Sequence, residues 1–160
     1  MLGHLVAGQP LSSRLSYRVG SLRREHDLLP RVRGLMARRG KPVRVWAFGP
    51  ALDELADDDR VVVSGDRAVP DLESAGPLRM YADDDDVEDL LADYGLREVQ
   101  GDRLPNAVIW AVPDLNAVPR DAMDPHRAAP VVAALDLLEE GDPRAESAAL
   151  GILRDALEMH

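Results

Sequence analysis

Apolar positions along this chain keep two different rhythms, and the rhythm changes twice. Up to about residue 40 the spacing is helical. Leu15, Val19 and Leu22 recur at i, i+4, i+7, behind Ser12 or Ser13 as a cap, and predict a helix ending near residue 25. Gly20 weakens that helix by about 1 kcal/mol relative to alanine. A second helix is predicted from Asp27, with Pro30 tolerated in its first turn and Leu28, Leu29, Val32, Leu35 and Met36 on one face; Gly40 stops it.

From Pro42 the pattern shortens. Residues 43–48 and 60–63 read as strands, with a short helix over 50–56 between them, and Ser64-Gly65 turns the chain. Residues 78–82 form the next strand. Asp83 to Asp86 open a helix carrying Val87, Leu90, Leu91 and Tyr94, which Gly95 ends. Two strands, 96–99 and 107–112, follow around a turn at 100–105. Residues 113–127, polar and rich in proline, read as a surface loop. Helical spacing then returns in two closing helices. The first spans 130–140; the second has Asp142 as cap, Pro143 at its first position, and an apolar stripe from Ala145 to Leu157.

Composition narrows the class. A chain of 160 residues that is 46% hydrophobic can build one ordinary core, and with 4% aromatics that core consists of Leu, Val and Ala. With no cysteine, disulfides, thiol nucleophiles and Cys-based metal sites are excluded. No apolar run reaches the roughly 20 residues of a membrane span, and no signal peptide is visible, so the expected address is the cytoplasm.

Charge changes the picture most. Residues 1–45 hold ten Lys/Arg against Glu25 and Asp27, a net +8, while the remainder carries −18, giving −10 overall. Such segregation fits a basic arm offered to a polyanion from an acidic body. It equally fits arginines forming the solvated sides of two helices docked on that body. A helix-turn-helix is an incomplete match, because the His26-Asp27 connection has no glycine.

Candidate chemistry is sparse. The run Asp83-Asp84-Asp85-Asp86 has carboxylates that suit Mg²⁺ or Ca²⁺, but it lacks calcium-loop spacing, and favourable placement at a helix N-terminus accounts for it. Phe48-Gly49-Pro50 followed by Asp57 and Asp59 before Val61-Val62-Val63 has the outline of a minimal nucleotidyltransferase. There, two carboxylates spaced i, i+2 at a strand start hold Mg²⁺. Pro50 replaces the serine of the phosphate-holding turn and offers neither hydroxyl nor N–H. His4, His26, His126 and His160 are scattered without metal-ligand spacing, and Ser64 lacks the full Gly-x-Ser-x-Gly frame. Trp46 and Trp110 lie within strand patterns and are read as core anchors.

Four stretches in order carry a resemblance. They are Val61-Val62-Val63-Ser64-Gly65-Asp66-Arg67-Ala68; Leu78-Arg79-Met80-Tyr81-Ala82; Asn106-Ala107-Val108-Ile109-Trp110; and the closing Pro130-Val131, Leu135-Asp136-Leu137, Gly141, Arg144-Ala145, Ala148-Ala149 and Leu153. Together they resemble the C-terminal domain of AbiE-type antitoxins, transcriptional regulators of type IV toxin–antitoxin systems. The resemblance implies a DNA-binding winged helix-turn-helix ahead of that domain; here only about 45 residues precede it.

These observations lead to an α+β expectation: a small mixed β-sheet packed by helices, with a basic helical segment over 1–41 and an acidic domain over 42–160. The leading functional reading is a non-enzymatic, antitoxin-like bacterial regulator that needs no cofactor. Its arm touches DNA through Arg14, Arg18, Arg23, Arg24, Arg31, Arg38 and Arg39, and its body holds a cognate toxin, another protein or a second copy. The alternatives are a protein-interaction module without DNA binding and a Mg²⁺-dependent nucleotidyltransferase using Asp57 and Asp59.

Overall fold

The structure is a computed structural model, and it describes residues 40–69, 72, 76–139 and 142–158. The two expected N-terminal helices lie outside the described residues. What is described is an α+β fold, a five-stranded mixed sheet with four α-helices. The strands are β1 (Lys41–Trp46), β2 (Val61–Ser64), β3 (Leu78–Asp83), β4 (Arg97–Glu98) and β5 (Ala107–Val112). The helices are α1 (Gly49–Ala56), α2 (Val87–Asp93), α3 (Pro130–Leu137) and α4 (Pro143–Glu158).

The spatial order is β2-β3-β5-β1-β4. β3 and β5 run parallel and every other neighbouring pair is antiparallel. β4 and β5 therefore do not pair with each other, although only eight residues separate them in the chain; β1 lies between them. Pro105 explains part of this, since it has no N–H to contribute to a ladder. Asn106 supplies the substitute. Its carboxamide accepts from Ala47 N at 2.9 Å and donates to Ala47 O at 2.7 Å, extending the β1–β5 pairing past the last backbone rung.

The sheet has two unequal faces. One carries Val43, Val45, Val61, Val63, Leu78, Met80, Ala82, Ala107, Ile109 and Ala111, and packs under Leu52 and Leu55 of α1 and Val87 and Leu90 of α2. Burying this continuous apolar layer is the main drive to fold. On the opposite face Val62, Tyr81, Val108, Trp110 and Val112 meet Leu115, Val118 and Ala128. The segment 113–127 is thus more than a surface loop: it inserts Leu115 and Val118 into a second core, and its His126–Ala128 end bonds Val63 on the outer edge of β2.

A third cluster joins α3 and α4 through Val131, Leu135, Leu138, Ala145, Ala149 and Leu153. Asp142 accepts from the N–H groups of Arg144 and Ala145, the cap expected of it. α3 is shorter than the sequence suggests, with Leu138 as its C-cap. The aspartate run does not open a regular helix either. Asp84–Asp86 forms a 3₁₀ turn, and α2 begins only at Val87.

Candidate functional site

The 3₁₀ turn Gly65–Ala68 follows directly from Ser64, the last residue of β2. Gly65 has φ +68°, and a Cβ there would sit 3.0 Å from the Arg79 side chain, so any other residue would be strained. This turn brings the chain against α3 and closes a buried polar cluster. Ser64 Oγ donates to Asp136 Oδ2, and the Tyr81 hydroxyl donates to the same carboxylate at 2.9 and 3.0 Å. Both donors project from the second sheet face, and Asp136 comes down from α3 between them, fully buried. The neighbouring Arg79 lies 3.6 Å from Glu139 Oε2. Buried hydroxyls and carboxylates of this kind fix the seat of a helix on a sheet, because leaving any one unmade costs more than the bond contributes. Ser64 is therefore directed into the core and serves the docking of α3.

Asp58 is the second hub. Arg60 grips it through Nε at 3.1 Å and Nη2 at 2.7 Å, its own backbone N–H adds a bond of 2.8 Å, and the Tyr94 hydroxyl donates at 2.8 Å. Arg60 also reaches Asp93 at 3.0 Å. The Arg60 guanidinium holds the Asp58 carboxyl well below the usual carboxylate range, against the opposing effect of burial. The same bonds push Arg60 up, and the bond to Asp58, followed by burial, raises the Tyr94 phenol. Together they clamp the α1–β2 turn to the C-terminal end of α2.

This placement corrects the picture of Asp57 and Asp59 as a pair at a strand start. Asp57 is the C-cap of α1, Asp59 lies in the turn before β2 with its side chain 96% exposed, and β2 begins only at Val61. Asp59 stands 3.9 Å from His126 Nε2. Asp57 lines a polar cleft of about 290 Å³ with Asp53, Arg67, Asp124, His126 and Arg127. The two arginines there have acidic partners, Arg67 with Asp53 at 3.4 Å and Arg127 with Asp124 at 2.9 Å. The wall is thus a mosaic of opposed charges.

Asp83 accepts from Leu115 N at 2.7 Å and anchors the inserted segment, while Asp84 and Asp85 face solvent. Among the described residues no three His, Asp or Glu side chains converge into a metal-holding group. Arg14, Arg18, Arg23, Arg24, Arg31, Arg38 and Arg39 lie outside the described residues, as do His4, His26 and His160.

The tryptophans divide. Trp110 is buried in the second core, as expected. Trp46 is not a core anchor: it is 48% exposed, because it shares a sheet face with Arg44, and Phe48 just beyond it is 70% exposed. Neither Asp58 nor Asp136 stands out in the sequence as a hub of hydrogen bonds. For the first, Asp58-x-Arg60 ahead of an apolar strand was an available signal; for the second, an aspartate on the apolar side of a helix was.

No family model, curated protein or solved structure matches this chain.

Proposed function

We propose that this chain is a non-enzymatic, antitoxin-like transcriptional regulator acting in the cytoplasm. Its basic segment, residues 1–41, contacts DNA, and its acidic α+β body engages a cognate toxin, another protein or a second copy. The observation that carries this reading is the charge segregation, +8 over residues 1–45 against −18 over the rest. A polyanion is attracted to the first part and repelled by most of the second, which orients the protein on DNA and leaves the body facing outward. The ordered resemblance to AbiE-type antitoxins supports the same assignment. Ser64, Tyr81, Asp136 and Asp58 serve as internal ties of the body. Among the described residues no helix is long and apolar enough to cross a membrane.

The test is duplex-DNA binding by the full chain across a salt series, beside a variant carrying Arg23→Ala, Arg24→Ala, Arg38→Ala and Arg39→Ala. The wild type is expected to bind at low salt and weaken steeply as salt rises. Each phosphate that an arginine no longer neutralises lowers the slope of log K against log salt by about 0.9 in magnitude, so the slope of the fourfold variant should be smaller by about 3 to 4. Equal slopes for the two proteins, or no binding by either, would overturn the DNA half of the proposal.

A further inference from the structure

Among the described residues, the second face of the sheet is covered over β2, β3 and β5 but not over β1 and β4. In β1 the odd positions Val43 and Val45 enter the core, so Pro42, Arg44 and Trp46 share the other face. Arg97 of β4 stands directly across from Trp46. The Arg44 guanidinium donates to the carbonyl of Arg103 at 3.2 Å and of Gly101 at 3.5 Å, which draws the 101–104 turn to the rim of this face. Arg44, Arg97 and Arg103 are all exposed, whereas Lys41, in phase with Val43, belongs to the opposite face. Trp46 on this face is 48% exposed, and Phe48, two residues beyond the end of β1, is 70% exposed.

This is a local reversal of the body's charge. Two arginines, Arg44 and Arg97, share this face with Trp46, Arg103 lies on the adjoining turn, and the acids near them are few. Glu98 pairs with Val45 and so belongs to the opposite face, and Asp102 lies on the turn. Cations with exposed aromatic rings on a sheet suit a ligand that is both polyanionic and able to stack. A single nucleic-acid strand has both properties, since its phosphates meet the arginines and its unpaired bases meet the rings. A duplex keeps its bases stacked on one another and meets only the charge. The chain's own basic arm would be repelled by these arginines, so charge complementarity selects the anionic strand over it.

We infer that the β1–β4 face, through Arg44, Trp46, Phe48 and Arg97, binds single-stranded nucleic acid, independently of the duplex binding assigned to the arm. The test uses the full chain and an oligothymidylate about 15 nucleotides long. Trp46 is the exposed tryptophan and Trp110 the buried one, so stacking is expected to quench fluorescence saturably. Trp46→Ala combined with Phe48→Ala should weaken binding, followed by the anisotropy of a labelled strand, about tenfold or more. Arg97→Ala should lower the salt slope by about 0.7. Thermal unfolding checks that each variant remains folded.

The arm variant of the preceding section is expected to keep the quenching. If it loses the oligonucleotide while the face variants bind normally, the platform is overturned and the arm stands. If the face variants alone lose it, the platform holds whatever the arm does. Failure of the wild type to bind would overturn the proposal. So would sedimentation showing that Trp46→Ala and Phe48→Ala dissolve a dimer and leave oligonucleotide binding unchanged, since the face would then join two copies.

Discussion

Asp58 shows how a single carboxylate couples three pieces of the chain. It accepts from Nε and Nη2 of the Arg60 side chain, from the backbone N–H of the same residue, and from the Tyr94 hydroxyl. Its folded-state pKa lies below that of the unfolded chain, near 3.9. A depressed carboxylate pKa contributes stability that is fully present above the unfolded value and is lost as pH falls through the folded one. Stability should therefore decline below about pH 5, and part of that decline belongs to Asp58. Asp58→Asn is expected to cost about 1.5–3 kcal/mol at neutral pH and to flatten the acid limb of the profile. Urea unfolding between pH 3 and 7 measures both, and an unchanged acid limb would show that the clamp is not what titrates. The residue was hard to find in the sequence because Asp57 and Asp59, on either side of it, make the more familiar pattern. Spacing displays which carboxylates alternate but not which one an arginine two residues on will fold back to grip.

At the scale of elements, most of the strands and helices were legible because each has a local cause. Val61-Val62-Val63 is β-branched, Asp142-Pro143 begins a helix, and the stripe along α4 has helical spacing. Strand order was not legible, since it depends on contacts far apart in sequence. Two strands joined by a short turn suggest neighbours, yet β1 separates β4 from β5. Asn106 makes that insertion workable. The register that sets Val45 opposite Ala107 places Pro105 opposite Ala47, and the Asn106 side chain supplies the donor the proline lacks and an acceptor for Ala47 N as well. Asn106→Ala should strand the Ala47 N–H and carbonyl and cost about 1–3 kcal/mol in chemical denaturation; a variant as stable as wild type would mean that water replaces the carboxamide. Alternation likewise held the clue to Trp46. In Val43-Arg44-Val45-Trp46 the tryptophan is in phase with an arginine, so the core that takes the valines must exclude it. The same pattern explains Pro42. Val99 N donates to Arg44 O, so the even positions of β1 point toward β4, and beyond the short β4 the edge carries a proline with no N–H to offer a foreign strand.

For the molecule as a whole, one charge distribution acts on folding and on binding with opposite signs. The 115 residues after Val45 carry −18, and close ion pairs such as Arg60–Asp58 and Arg127–Asp124 relieve only part of that repulsion. Self-repulsion of this size opposes the compact state, and salt screens it over a Debye length that shrinks from about 14 Å at 0.05 M to about 6 Å at 0.3 M. Raising salt over that range should raise the melting temperature by a few degrees. On the proposed reading, nucleic-acid affinity is expected to fall over the same interval, because arginines that bind phosphates gain by releasing counterions and added salt opposes that release. A loss of affinity through salt-induced unfolding would lower both quantities together. Melting curves and binding isotherms recorded in the same buffers therefore separate the two causes. A melting temperature that falls with salt would mean that the ion pairs, rather than the net repulsion, govern the stability of the body.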